Sequence, residues 1–118
     1  MTISPGVWNI TVNQGATFDY TITLYDSNNA LINLTGYTAA MMGRATFLNL
    51  PAPFFTLTTE NGGITLGGSA GTIRLFMNGD TTSDIYQNGV YDLKITSGGG
   101  EEDRVLQGTV TLSPQVTI

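Results

Sequence analysis

The side chains that could perform chemistry in this chain are almost all carboxylates. The sequence contains no histidine and no cysteine, so it lacks the commonest general base and every thiol nucleophile. Nine acidic residues remain, and a pair of them could in principle cleave a glycosidic bond. Most of them fall in predicted turns, however, and no pair is flanked by the aromatic residues of a sugar cleft. We therefore expect a protein that is not an enzyme.

The segment Asp80–Asp84 is the nearest approach to a calcium-binding loop. Such loops alternate Asp or Asn with other residues and end in a bidentate Glu, and this segment has neither feature. Asp80 as an N-cap, with Asp84 in the turn that follows, is instead typical of a short helix. We predict one helical turn near residues 80–86, no metal site and no cofactor.

Phosphate, nucleic-acid and membrane binding are not expected either. The glycine run Gly98–Gly100 is followed by the acidic residues 101–103, which would repel a phosphate, so it predicts a hairpin tip. The four Lys and Arg residues are scattered along a chain with a net charge of −5, whereas nucleic-acid binding needs clustered cations. No stretch approaches the roughly 20 apolar residues of a membrane span, and the N-terminus lacks a signal-peptide pattern.

Aromatic residues are the best candidates for an interface. Trp8, the only tryptophan, could be an exposed platform that stacks on a sugar, but its place in an alternating segment favours the core or an interface. Phe54 and Phe55 are adjacent, so in a strand one points to the core and the other is available to a partner. With Tyr86, these make four candidate interface residues: Trp8, Phe54, Phe55 and Tyr86.

Apolar and polar residues alternate along most of the chain, and this alternation predicts the strands that position these residues. Trp8–Asn13 and Phe18–Leu24 are predicted strands, and Gln14-Gly15 between them is either a tight turn or a kink where one long strand changes sheets. Asp26–Asn29 is a turn signal. Further strands are predicted at Ala30–Asn33, Thr38–Ala45, Phe54–Thr59, Ile64–Leu66, Thr72–Met77, Gly89–Ile95 and Arg104–Leu112. The pattern indicates one all-β domain over residues 1–118, either a sandwich or a barrel.

Two ordered sets of short motifs are more specific than the alternation alone. They comprise Asn13–Phe18, Leu34–Ala39, Gly62–Leu66, Gly71–Ile73, Gly89–Leu93 and Gly108–Pro114. In this order they resemble small proteins encoded among the structural genes of tailed bacteriophages, and the N-terminal immunoglobulin-like domain of phage baseplate upper proteins. The resemblance extends over nearly the whole chain. It implies an immunoglobulin-like antiparallel β-sandwich of about 7–9 strands.

The resemblance also implies a structural role in a virion that is assembled in the bacterial cytoplasm. We expect a component of the tail, baseplate or fibre-attachment apparatus that docks on other virion proteins, as a symmetric oligomer. Because the sequence ends at Ile118, where baseplate upper proteins continue, we expect a free-standing subunit. The predicted docking regions are the exposed edges of the sheets, the two termini and the long turns Asn49–Phe55 and Gly67–Gly71. A capsid decoration protein is the first alternative. The second is a carbohydrate-binding adhesion module using Trp8, Tyr25, Tyr37 and Tyr86.

Overall fold

The computed structural model describes residues 6–117, which form a sandwich of two β-sheets. Within the described residues there are nine strands, one short helix and one 3₁₀ turn at Gly68–Ala70. In chain order the strands and the helix are β1 (Gly6–Val7), β2 (Ile10–Asn13), β3 (Phe18–Thr23), β4 (Thr38–Arg44), β5 (Phe55–Thr58), β6 (Ile64–Leu66), β7 (Thr72–Met77), α1 (Gly79–Ser83), β8 (Gly89–Thr96) and β9 (Glu102–Ser113). Most strands lie where the alternating pattern predicted them, but the prediction of a strand at Ala30–Asn33 is wrong, because the only ladder contact that the described residues make there is an isolated bridge between Tyr25 and Leu31.

The strand order is that of an immunoglobulin-like sandwich. The large sheet has the order β1-β9-β8-β4-β5, with β2 continuing alongside β9, and the small sheet has the order β3-β7-β6. In the large sheet, β9, β8, β4 and β5 correspond to the G, F, C and C′ strands of an immunoglobulin domain. In the small sheet, β3, β7 and β6 correspond to its B, E and D strands. All pairings are antiparallel except those of β1 and β2, which run parallel to β9. The predicted antiparallel immunoglobulin-like sandwich is therefore confirmed, with a parallel first strand that was not anticipated.

The core lies between the two sheets and is formed by every second residue of most strands. Ala39, Met41 and Gly43 of β4 are buried, which is the period-two pattern of a strand with one face inward. The strand prediction for this segment is thus confirmed. The other fully buried side chains come from both sheets, from the connection between β3 and β4 and from the helical crossover: Val12, Leu34, Ile73, Leu75, Met77, Thr82, Ile85, Leu93, Ile95 and Val110.

The helical turn lies where it was expected but begins earlier, and its cap is a different residue. Helix α1 starts after Asn78, whose backbone is extended and whose side-chain oxygen accepts a hydrogen bond from the Thr81 amide at 2.8 Å. Asp80 sits in the first turn, so the prediction of Asp80 as the N-cap is wrong. Both residue types cap helices well, and the extended backbone at Asn78 decides which of them does so here.

Gln14-Gly15 is both a tight turn and the point where the chain changes sheets. The Ala16 amide donates to the Asn13 carbonyl at 3.1 Å, which closes the turn, and β2 belongs to the large sheet whereas β3 belongs to the small one. Gly15 has a φ of 81°, a conformation that glycine adopts without steric cost. The hydroxyl of Thr82 in α1 accepts a hydrogen bond from the Gly15 amide at 3.0 Å and donates one to the Ala16 carbonyl at 2.9 Å. Thr82 is fully buried. The Thr82 hydroxyl thus joins helix α1 to the segment Gly15-Ala16, where the chain changes sheets.

A second link joins the first strand to the centre of the large sheet. The Tyr91 hydroxyl donates to the Trp8 carbonyl, which lies at the break between β1 and β2. Gly108 is paired with Tyr91, and a Cβ atom on Gly108 would collide with that same carbonyl. The register of the first strand against β9 is the same on both sides of the break. At the break, the chain therefore moves away from β9 locally and passes over Gly108, and the hydrogen bond from Tyr91 stabilises this conformation.

Replacing Thr82 with Val should destabilise the fold by about 1–2 kcal/mol, because it removes the partner of the part-buried Gly15 amide and Ala16 carbonyl. Ser83→Ala is the matched control. It removes an exposed hydroxyl from the same helix and should cost no more than about 0.5 kcal/mol. Urea unfolding followed by the fluorescence of Trp8 measures both. Equal costs for the two variants would show that Thr82 does not secure the change of sheet.

Replacing Tyr91 with Phe should lower the stability at neutral pH by about 1 kcal/mol, through loss of the hydrogen bond to Trp8. It should also change the alkaline limit of stability. Burial raises the pKa of Tyr91 to about 12, whereas a tyrosine of the unfolded chain ionises near pH ~10. The folded state therefore holds a proton that the unfolded state loses, and stability falls as the pH rises between these values.

The measurement for Tyr91 is a series of urea unfolding curves from about pH 8 to about pH 12. Tyr91→Phe should remove the part of the alkaline decline that this side chain causes. Tyr86→Phe, which alters an exposed ring, should retain it. An unchanged alkaline decline in Tyr91→Phe would contradict the assignment.

Candidate binding surface on the large sheet

The outward face of the large sheet carries a shallow groove of about 830 Å³. Its floor consists of the residues of β4, β8 and β9 that alternate with core residues, so the strand period that fills the core also builds the groove. The loop at 45–54, which joins β4 to β5, forms one wall. The large apolar and charged side chains of the groove's loop wall and floor are Met42, Arg44, Phe47, Leu50, Asp92, Lys94 and Arg104. We call this surface the sheet groove.

Three of the four cationic side chains of the chain line the sheet groove, although they are far apart in sequence. They are Arg44, Lys94 and Arg104, and the pairing of β8 with β9 places Lys94 directly opposite Arg104. Asp92 is the one acidic residue of the lining, so the groove carries a local charge of +2 and the rest of the chain carries −7. The groove is therefore the positive region of an acidic protein.

The ion pairs in and beside the groove are weak enough to be exchanged for a partner. Lys94 lies 3.4 Å from Glu102, and Arg104 lies 3.9 Å from Asp92. All four side chains are about half exposed, and exposed pairs of this kind contribute about 0–1 kcal/mol. A carboxylate on a partner could replace either acidic residue at little cost.

The loop at 45–54 holds large apolar side chains in solvent. Phe47, Leu48 and Leu50 are 63–71% exposed. The Arg44 guanidinium donates a hydrogen bond to the Pro51 carbonyl at 2.6 Å, which fixes the loop to the end of β4. Leu50 has a φ of 38°, a left-handed conformation that side-chain-bearing residues rarely adopt. Exposed apolar residues grouped beside a concave surface are typical of an interaction site.

The arrangement suits recognition by contact and charge. It offers apolar area from the loop and cations from β8 and β9, and these complement a partner segment with an apolar side chain next to carboxylates. Across residues 6–117, no three acidic side chains are grouped so that they could hold a metal ion. The same residues include no helix that is both long and apolar enough to cross a membrane.

The four aromatic residues singled out in the sequence lie outside the sheet groove. Trp8 is half-buried, and its ring meets that of Tyr20 edge-on at 5.5 Å. Phe55 is only 4% exposed, because its ring lies over Gly43, where a Cβ atom would overlap it. Phe54 is half-buried, with its ring 6.1 Å from that of Tyr86, which is 71% exposed.

The structure shows which of the two adjacent phenylalanines is buried. One of them was expected in the core, and it is Phe55, so Phe55 does not belong to the surface set. Phe54 and Tyr86 form an aromatic pair that is partly accessible to solvent. Whether Trp8, Phe54 or Tyr86 contacts a partner stays a prediction.

The predicted docking regions overlap the groove in one place. Asn49–Phe55 includes Leu50 of the groove wall but not Phe47. Gly67–Gly71 contains the 3₁₀ turn, which lies outside the groove lining. Of the termini, residues 1–5 and 118 lie outside the described residues. Lys94 and Arg104 could have been placed on the outward face from the sequence, since each alternates with core residues of its strand.

Comparison with other proteins does not identify the chain. It matches no model of a known protein family, and no curated protein is significantly similar to it.

Replacing Leu50 with Gly should stabilise the fold by about 0.5–1 kcal/mol, because glycine adopts the left-handed conformation without strain and the exposed leucine loses no buried contact. Leu48→Gly is the matched control in the same loop. Leu48 is equally exposed and its φ is not positive, so the change should cost about 0.5 kcal/mol. Thermal unfolding of both variants tests the loop conformation. A destabilised Leu50→Gly would contradict it.

Proposed function

We propose that this protein is a non-catalytic docking module of a tailed-bacteriophage virion, in the tail, baseplate or fibre-attachment apparatus. The sequence resemblance supports the virion part of this proposal. The docking part rests on one observation, which is the exposed apolar loop beside a positive groove on an otherwise acidic chain. The partner would be another virion protein that presents an apolar side chain and carboxylates to the sheet groove.

The energetic case for docking rests mainly on the loop. Burying one large apolar side chain completely contributes about 1.5–3 kcal/mol, and Phe47 and Leu50 both border the groove. Association itself costs several kcal/mol in lost freedom. Lys94 and Arg104 would then add specificity and a faster encounter more than affinity. A modest interface per copy is sufficient in a particle where many copies bind a repeated lattice.

A carbohydrate-binding role is less well supported. The four rings that it would use are Trp8, Tyr25, Tyr37 and Tyr86, and two of them, Trp8 and Tyr37, are half-buried against the core. No two of these four rings stack or meet edge to face among the described residues. Two of the four candidate rings therefore have only part of their surface available for stacking on a sugar. A glycan array probed with the assembled protein would test this role independently.

The decisive experiment is to follow the protein into purified particles from the source strain. Mass spectrometry should detect the wild-type chain in intact particles. The double variant Phe47→Ser with Leu50→Ser should enter particles at a level lower by at least about tenfold, which corresponds to the loss of about 1.4 kcal/mol at the interface. Leu31→Ser removes a side chain that is 49% exposed and lies outside the groove lining, and it should enter normally.

The outcomes separate the parts of the proposal. A chain that is missing from intact particles would overturn the virion role. Normal entry of the double variant would show that docking does not use the sheet groove. Detection on the head lattice by cryo-electron microscopy, at high copy number, would replace the tail assignment with capsid decoration.

A further inference from the structure

Among residues 6–117, no strand covers the edge of the small sheet that β3 forms. Strand β3 has six residues and pairs only with β7 among the described residues, as the first strand in the order β3-β7-β6. Its pairing with β7 is continuous from Phe18 to Thr23, with no bulge. Proline is absent from the strand, and Asp19 is its one charged residue. It therefore lacks the devices that usually protect a sheet edge from another strand.

The main-chain groups that face outward from β3 can be identified from the pairing of β7. The Phe76 amide donates to the Gly63 carbonyl, and the Thr72 carbonyl accepts from Gly67, so these two residues of β7 direct their main chain toward β6. The alternate residues of β7 direct theirs toward β3, and their partners are Phe18, Tyr20 and Ile22. The outward N–H and C=O groups of β3 are consequently those of Asp19, Thr21 and Thr23. All three residues are exposed.

The other edges of the sandwich are closed or short. On β5, the Asn61 side chain accepts a hydrogen bond from the Thr58 amide and donates one to the Thr56 carbonyl, both at 2.9 Å, which occupies the groups that an added strand would need. Strand β6 has only three residues. On the far side of the large sheet, β1 and β2 are separated by the break at Trp8. Among the described residues, β3 is the one long edge left open.

The side chains of β3 also leave room for a second strand. The carboxylate of Asp19 is bound by the Arg74 guanidinium of the neighbouring strand, with contacts of 3.0 and 2.8 Å, so it is already neutralised. Arg74 also lowers the pKa of Asp19 through these hydrogen bonds. On the core side, Tyr20 is 50% exposed and Ile22 is half-buried. An added strand would cover apolar area at the rim of the core.

We propose that two copies of the chain pair through β3, antiparallel to each other, and join their small sheets into one six-stranded sheet. An antiparallel strand pair of this kind has twofold symmetry, so one surface serves as both partners. Centring the pair on Thr21 places Thr21 opposite Thr21, Asp19 opposite Thr23, and Tyr20 opposite Ile22. In this register each outward N–H and C=O group of both strands finds a partner, and the two Asp19 carboxylates do not face each other. The sheet groove is not used, so this pairing stands or fails separately from the proposed function.

Sedimentation equilibrium over a range of protein concentrations tests the pairing. The wild type should dimerise, and Thr21→Lys should raise the dissociation constant by at least about tenfold, because it places two ammonium groups opposite each other at the twofold axis. Thr65→Lys is a close control. Thr65 and Thr21 are both paired with Arg74, from opposite sides, so the local change is the same at the other edge of the sheet. It should leave the dissociation constant unchanged.

A second variant gives a direct readout even if Thr21→Lys folds poorly. The chain has no cysteine, so Thr21→Cys introduces a single thiol. Directly opposed, hydrogen-bonded residues of antiparallel strands have Cα atoms about 5.5 Å apart, which is within the range of a disulfide. Mild oxidation should yield a covalent dimer from Thr21→Cys, and much less from Thr65→Cys at the same concentration.

Three results would overturn the pairing. One is a wild type that remains monomeric at all concentrations tested. Another is an equal loss of dimer, or equal cross-linking, in the variants at residues 21 and 65. The third is a monomeric wild type that dimerises once residues 1–5 are deleted, which would make the chain's own N-terminal segment the occupant of the β3 edge.

Discussion

The change of sheet at Gln14–Ala16 is the constraint on which the rest of the molecule depends. The first strand must lie beside β9 in the large sheet, and the next must lie beside β7 in the small sheet, with only a short kink between them. The buried Thr82 hydroxyl satisfies both an amide and a carbonyl of this kink. Gln14 extends the link, since its side chain donates to the Ile85 carbonyl at 2.9 Å and accepts from the Gln115 amide at 3.1 Å. The start, the crossover and the end of the described chain thus meet at one corner.

Much of this fold could be predicted from the sequence because one face of most strands is buried. Period-two alternation located β3, β4, β7, β8 and β9 to within a few residues, and the turn glycines separated them. The N-cap could not be decided, because Asn78 and Asp80 are both good caps and only the extended backbone at Asn78 selects it. Similarly, the inward choice of Phe55 over Phe54 depends on Gly43 across the strand pair, which leaves space for the ring.

The sheet groove was harder to foresee because it depends on register. Lys94 and Arg104 are separated by a hairpin, and Arg44 comes from a strand that pairs with the far side of β8. In sequence these cations look dispersed, and only the pairing of β4, β8 and β9 brings them to one face. The interface residues chosen in the sequence were Trp8, Phe54, Phe55 and Tyr86, whereas the groove wall is formed mainly by Phe47 and Leu50 of a loop. Loop side chains carry no periodic signal that would reveal which way they point.

The two surfaces have a geometric relation that bears on assembly. In an antiparallel pair of strands, opposed side chains point to the same face of the sheet, so the twofold axis of a β3 pair is perpendicular to the joined small sheet. The core faces of both copies then lie on one side of that sheet, and each is covered by its own large sheet. Both sheet grooves would therefore open in the same direction. A dimer of this form could engage two equivalent sites on a flat, repetitive partner at once, and the second contact would benefit from the effective concentration that the first creates. Weak, exchangeable ion pairs at Lys94 and Arg104 are compatible with such binding. Each groove alone would bind with low affinity, and simultaneous binding by both copies of the dimer would raise the overall affinity.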